Sequence, residues 1–344
     1  MSLGTRLILA AALTVGVTSC APPPQSSPGP IAIHDTQHPS VLLSNGIISA
    51  HCYLPDAARG FYRGPRFDWS GMVGPVIDGK TWFFAPFRVP QDPLGNDDGV
   101  GPAEEFGMDS PLGYADARPG ETFIKIGVGE LIKPNDPAYR VYGFYKRFTI
   151  ARAGRWTITY GTDWVEFHQS LQDSRGWGYD YVKRISLAKD APVLIIEHRL
   201  TNTGSKIIDT TWYCHNFTNI DGQPIGPAYA VRFPVKPSFD PGPKPTEART
   251  KGNWLEFIRP IPHAYGISAY LANAGHSVSS DSAAVVNRDI GAGVKITGDQ
   301  PVVKYHFYAE ATAACPEMFI RIRIAPGESK TWEARYQFAT RIGR

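Results

Sequence analysis

The chain is short of charge, of cysteine and of helical periodicity, and each shortage closes off a class of protein. Charged residues make up 19% of the 344, and the formal balance is only +3. No basic run or aromatic–basic ladder concentrates that charge, so a nucleic acid is not the expected partner. Four cysteines cannot staple a chain of this length, and their spacings fit no zinc site. Neither a metal nor a cofactor is expected. Apolar residues do not recur at helical spacing over windows of about a dozen residues. No internal repeat of fixed period is visible, which argues against a propeller. What is abundant is turn formers and rings: Gly 34, Pro 30 and 12% aromatics, the composition of short strands with aromatic-lined surfaces.

The long apolar run, Leu7 to Val17, falls short of the ~20 residues that span a bilayer. Arg6 precedes it and Val17-Thr18-Ser19-Cys20 follows, an ending that resembles a bacterial lipobox. The resemblance implies a signal peptide over 1–19, lipidation of the Cys20 thiol and a place in the cell envelope. Ala21 after the cysteine favours the outer membrane, facing the periplasm. Residues 20–40, rich in Pro and Ser, read as a flexible tether. Cys52, Cys214 and Cys315 remain, which allows at most one disulfide, so the fold has to stand on its hydrophobic core.

Residues 41–344 read as one all-β domain, a large antiparallel sandwich with long loops. "VLLSNGIISAHCYL" is a hairpin with Asn45-Gly46 at its turn. "GRWTITYGTDWVEFHQSL" is strand, turn, strand. "PVLIIEHRLTNTGSKIIDTTWYCHNFT" reads as a longer pair joined at Asn202-Thr203-Gly204. "VVKYHFYAEAT" and "MFIRIRIAPGESKTWEARYQF" close the chain, the latter bending at Pro326-Gly327. Long loops are expected over 90–120 and 235–252.

Strand phase picks out two residues. In "EMFIRIRI", Met318, Ile320, Ile322 and Ile324 form a core face, which leaves Glu317 on the other. In "DTTWYCHNF", His215 shares a face with Asp209, Thr211, Tyr213 and Phe217, while Trp212, Cys214 and Asn216 take the opposite one. A face mixing a histidine, rings and hydroxyls suits a sugar site, where rings such as Tyr213 and Phe217 stack on C–H surfaces and polar groups read hydroxyls.

"EHRLTNTGSKIIDTTWYCHNFTNIDGQPIG" and the ending "CPEMFIRIRIAPGESKTWEARYQF" together resemble the galactose mutarotase-like (aldose 1-epimerase) superfamily over roughly residues 40 to 340. That resemblance implies a β-supersandwich that binds carbohydrate in a concave cleft, with His215 as general acid and Glu317 as general base. The residue types fit the chemistry. Interconverting anomers removes a proton from the anomeric hydroxyl and delivers one to the ring oxygen. Burial is expected to tune Glu317, and a neighbouring carboxylate to raise His215. The resemblance also implies a second histidine from the first third of the fold, at a sugar hydroxyl; it has no clear counterpart here, His51 and His168 being the candidates.

Other segments supply further candidates. In "GFYRGPRFDWSG", Arg63 or Arg66 is placed to fork onto sugar hydroxyls or a uronate, the alternative being an Arg66–Asp68 structural pair. Lys125, beside Gly127 and Gly129, either contacts substrate or lies along an edge. Trp177 and Tyr179 offer a stacking platform or ordinary hairpin packing. The acidic run Asp97, Asp98, Glu104, Glu105 and Asp109 reads as a solvated loop, with Glu105 reaching the cleft rim as a subsidiary idea. Cys214 and Cys315 point in opposite senses and are not expected to bridge. The functional expectation is a carbohydrate-binding, epimerase-like lipoprotein. The alternatives are a non-catalytic glycan binder, a lyase with Arg63, Arg66 or Lys125 neutralising a uronate, or a glycosidase with a second carboxylate within roughly 10 Å of Glu317.

Overall fold

Turn chemistry sets the first hairpin. Gly46 takes a positive φ of 82°, and the Asn45 side-chain oxygen accepts from the backbone N–H of Ile47 and Ile48. Ser40–Ser44 therefore folds back on Ile48–Tyr53. The computed structural model describes residues 38–263 and 266–340. The expected signal peptide, Cys20 and nearly all of the tether lie outside the described residues.

Among the described residues the secondary structure is strand, relieved only by two short 3-10 turns. A ten-stranded antiparallel sheet runs from Ala248–Lys251 at one edge to Trp156–Tyr160 at the other, with Ser329–Ala339 and Val193–Asn202 paired near its middle. A six-stranded sheet lies against it, in the order Phe239–Asp240, Ile267–Leu271, Val302–Glu310, Ala313–Ile324, Ile208–Phe217 and Gly101–Phe106. Smaller four- and three-stranded sheets, starting at Ser40–Ser44 and Thr122–Lys125, complete the fold.

The chain 193–217 is not the hairpin that its sequence suggests. Val193–Asn202 belongs to the ten-stranded sheet and Ile208–Phe217 to the six-stranded one, so the Asn202-Thr203-Gly204 turn is a corner between layers. The bend at Pro326-Gly327 is a second corner beside it. Asn202 ties the two together. Its amide nitrogen donates to the carbonyls of Lys206 and Ile324, its amide oxygen accepts from the Gly204 N–H, and its own carbonyl accepts from the Gly327 N–H.

Facing rings fix which side of the six-stranded sheet is inside. Trp212 lies 5.8 Å from Trp332, centroid to centroid, and the Tyr336 hydroxyl donates to the Asn216 side chain. Trp332 and Tyr336 belong to the ten-stranded sheet, so the face carrying Trp212, Cys214 and Asn216 is the inter-sheet core. By alternation, His215 and Glu317 point away from it. Cys52, Cys214 and Cys315 are buried free thiols.

A charged cluster sits in that core. Lys183 Nζ donates to the Ser70 carbonyl at 2.7 Å and lies 3.2 Å from Glu104 and 3.8 Å from Asp68. His198 Nε2 meets Glu104 at 2.9 Å. Burial raises Asp68 to about 6. Burial also works against ionised Glu104, but His198 and Lys183 outweigh it and hold the carboxyl at about 2. Gly127 belongs to this cluster rather than to a ligand: a Cβ there would stand 2.5 Å from the Asp68 carboxyl, which lies against the bare Cα.

Two stability outcomes are expected. Asn202→Ala leaves carbonyls of both corners without a donor and should cost about 1–3 kcal/mol, read from the urea midpoint. Lys183→Met strips the cation from two buried carboxylates and should cost about 3–5 kcal/mol by the same measurement.

Candidate functional site

The register of one hairpin builds the outward face. Val302–Glu310 and Ala313–Ile324 pair so that His306 stands directly opposite Glu317. The next strand pairs Trp212 with Ile320, and the same register resumes at Thr218 with Ala314, which places His215 level with Glu317 on the other side. Between those points the ladder is open, in keeping with Pro316, which has no N–H to give; the Asn216 amide donates to the Pro316 carbonyl instead. One carboxylate thus stands between two imidazoles on adjacent strands.

The distances follow. Glu317 Oε2 lies 2.7 Å from His306 Nδ1, a hydrogen bond. Glu317 Oε1 lies 3.1 Å from His215 Nε2 without the alignment of a hydrogen bond. That oxygen and His215 Nδ1 are buried and have no partner within the protein. His306 Nε2 is 2.9 Å from the Ser268 hydroxyl. The His215 ring stacks on Phe217 at 4.1 Å and meets the edges of Phe67 and Tyr308. A cavity of about 170 Å³ opens over this group, lined by Arg66, Arg88, Asp97, His215, His306 and Glu317, with Ser268 and Phe144 among its other walls.

Arg66 is held from behind. Its Nε donates to Glu105 at 2.9 Å, its Nη2 donates to the Tyr213 hydroxyl at 2.8 Å, and its Nη1 pairs with Asp97. The guanidinium lies between the rings of Phe67 and Phe144. Burial opposes its charge, but Tyr213, Glu105 and Asp97 keep it firmly protonated.

Electrostatics separate the two central groups. Burial works against an ionised Glu317, yet His215, His306 and Arg66 outweigh it and hold the carboxyl below its ordinary range. His215 goes the other way from expectation. Glu317 does favour its charged form, but burial dominates and lowers the imidazole to about 4. At neutral pH the site therefore holds a carboxylate and a neutral His215.

The structure brings His215, Glu317 and Arg66 together and moves other candidates away. Lys125 is fully buried, donating to Glu105 at 2.7 Å beneath Arg66, so it supports the floor and does not border the cavity. Arg63 lies outside the cavity lining, its backbone N–H given to Pro93. Tyr213 is sealed under the site; its hydroxyl accepts from Arg66 and donates to Glu105, and its ring stacks on Phe319. Phe217 is likewise buried and backs the imidazole instead of facing a ligand. Trp177 packs against Gly113 under the Lys206 amine, and Tyr179 is buried with its hydroxyl on Gln169, so neither is a platform. The Arg66–Asp68 pair does not form, since Asp68 turns to Ser70 and Lys183. The acidic run is not a solvated loop throughout: Glu104 and Glu105 lie on a wholly buried strand, Gly101–Phe106, and point to opposite faces.

Neither candidate for a second histidine reaches the cavity, His51 bonding Ser40 and His168 bonding Asp180; the other histidine that borders it is His306, from the strand Val302–Glu310 late in the chain. Ser268, Arg88 and Asp97 also escaped the sequence reading as site residues. Phase alone signals His306, which alternates with Lys304 and Tyr308 on one face of "VVKYHFYAEAT". Pairing it with Glu317 needs the Ala311-Thr312 turn, which carries none of the usual turn residues.

No family model matches the chain, and no curated protein does. Solved structures do. A candidate aldose 1-epimerase from Escherichia coli K12 is similar at TM-score 0.52 and 14% identity, over 88% of this chain and 99% of that one. A galactose mutarotase-like protein from Clostridium acetobutylicum is similar at TM-score 0.53 and 12% identity, over 89% and 96%. One from Lactobacillus casei ATCC 334 is similar at TM-score 0.51 and 10% identity, over 87% and 100%. At such identities the likeness speaks for architecture alone: the chain has the galactose mutarotase-like fold.

Proposed function

We propose that the protein binds an aldose in this cleft and interconverts its anomers, with Glu317 as base and His215 as acid. The observation that carries the reading is the pair of buried, unpartnered atoms, Glu317 Oε1 and His215 Nδ1, on two groups that line one cavity beside Arg66. Glu317 takes the proton from the anomeric hydroxyl, the C1–O5 bond breaks as C1=O forms, and protonated His215 gives its proton to O5. Rotation about C1–C2 and the reverse transfers close the other anomer. Arg66, fixed from behind, directs its remaining N–H groups at sugar hydroxyls. A lipidated Cys20 would hold the cleft at the periplasmic side of a bacterial membrane.

A lyase is the weaker reading. Arg63 and Lys125 stand clear of the cavity, and Arg66 is already matched by Glu105 and Asp97, which leaves little positive charge for a uronate.

Two outcomes are expected. Glu317→Gln keeps the shape and one acceptor, so sugar binding should survive while anomer exchange, followed by polarimetry or NMR, falls about a hundredfold or more. Exchange at the wild-type rate would remove Glu317 as the base, and wild-type protein that binds sugar with only background exchange would make it a binding protein. The second outcome is the pH profile. With His215 at about 4, its protonated fraction grows as pH falls, while Glu317 stays ionised because its range is lower than usual. Exchange should therefore rise by up to about tenfold per unit from pH 7 towards 5. A flat profile, or one rising with pH, would exclude His215 as the proton donor.

A further inference from the structure

The cleft holds a second arrangement, built on two groups that anomer exchange leaves idle, Ser268 and His306, and on the Glu317 carboxylate that it shares. Ser268, exposed on the strand Ile267–Leu271, has its hydroxyl 2.9 Å from His306 Nε2. The other ring nitrogen of that histidine, Nδ1, is 2.7 Å from Glu317 Oε2. Strand register makes the line: Glu317 stands opposite His306, and Ser268, opposite Tyr308, lies diagonal to it. All three side chains border the same cavity.

Proton positions follow from the partners. Glu317, ionised, can only accept, so Nδ1 carries the hydrogen; Nε2 is then free to accept the Ser268 hydroxyl hydrogen. A hydroxyl on an imidazole whose far nitrogen is oriented by a buried carboxylate is what activation of a serine requires. Ser268 is reachable from solvent while His306 and Glu317 are buried behind it, which is the order that a nucleophile, its base and its orienting group need. Arg66 and Arg88 border the cavity; each is already paired, Arg66 with Glu105 and Asp97 and Arg88 with Glu310, and its remaining N–H groups are hydrogen-bond donors for the negative oxygen that such an attack creates.

We propose that Ser268, His306 and Glu317 form a nucleophilic triad that hydrolyses an ester on an O-acylated sugar held in the cleft. The sugar half of that substrate rests on the carbohydrate reading above; the triad itself does not. The Ser268 oxygen bonds to the ester carbonyl carbon as its proton passes to His306 Nε2. The intermediate collapses, the bond from acyl carbon to sugar oxygen breaks, and His306 returns the proton to that oxygen. Water, deprotonated by His306, then attacks the acyl-serine, releases the carboxylic acid and restores the Ser268 hydroxyl. Ester and water are the only reactants.

The test treats the full chain with a fluorophosphonate reporter and, separately, with p-nitrophenyl acetate. The expected result is one covalent adduct, mapped to Ser268 by peptide mass spectrometry, and p-nitrophenol release that falls about a hundredfold or more in Ser268→Ala and in His306→Gln. Ser268 is exposed, so Ser268→Ala retains the fold, checked by circular dichroism, even if His306→Gln does not. No adduct on Ser268, or equal release by wild type and Ser268→Ala, overturns the triad. Neither probe contains a sugar, so this failure is distinct from failure of anomer exchange.

Discussion

Two carboxylates next to each other in sequence, Glu104 and Glu105, stand ionised in the interior, and the molecule is arranged so that neither is left without a cation. Alternation along Gly101–Phe106 sends them to opposite faces. Glu104 enters the space between the large sheets and meets Lys183 and His198. Glu105 enters the cleft floor and meets Arg66 and Lys125. An isolated carboxylate at either place would be neutral or prohibitively costly. This strand therefore couples the inter-sheet core to the cleft: the charges that hold the layers together and those that hold Arg66 in place are neighbours on one backbone.

That arrangement changes how the cleft's cations are understood. Arg66 presents a guanidinium whose back is fully engaged, so its remaining hydrogens have fixed directions and its charge is balanced before a ligand arrives. Such a group suits recognition of hydroxyls by geometry more than capture of an anion by attraction. The same economy shows at Glu317, which bonds His306 with one oxygen and holds the other, unpartnered, 3.1 Å from His215. Anomer exchange and ester hydrolysis would both draw on this single carboxylate, through different imidazoles.

What could be read from the residues was whatever depends on alternation and turn chemistry. The Asn45-Gly46 hairpin, the apolar face of "EMFIRIRI" and the shared face of His215 and Tyr213 follow from periods and dipeptides that carry their own geometry. Pairing between strands was not legible, because it depends on where a corner sends the chain. Asn202-Thr203-Gly204 looks like a hairpin turn and is a passage between layers. The charged candidates divided on the same ground. Lys125 and Arg66 look equally available in sequence, and only the packing of Tyr142 and Phe144 around them decides that one is sealed and the other borders the cavity.

The unmarked two-residue turn at Ala311-Thr312 governs more than its composition suggests. One residue added there would slide Val302–Glu310 along its neighbour by a single position, and the pleat would carry every side chain of the shifted strand through the sheet. His306 would pass into the apolar interior and Phe307 out over the cleft, with both residues still in the chain. The grouping of side chains over the cleft is thus written in spacing as much as in residue identity, and a length change in this loop would dismantle it without replacing any group that lines the cavity.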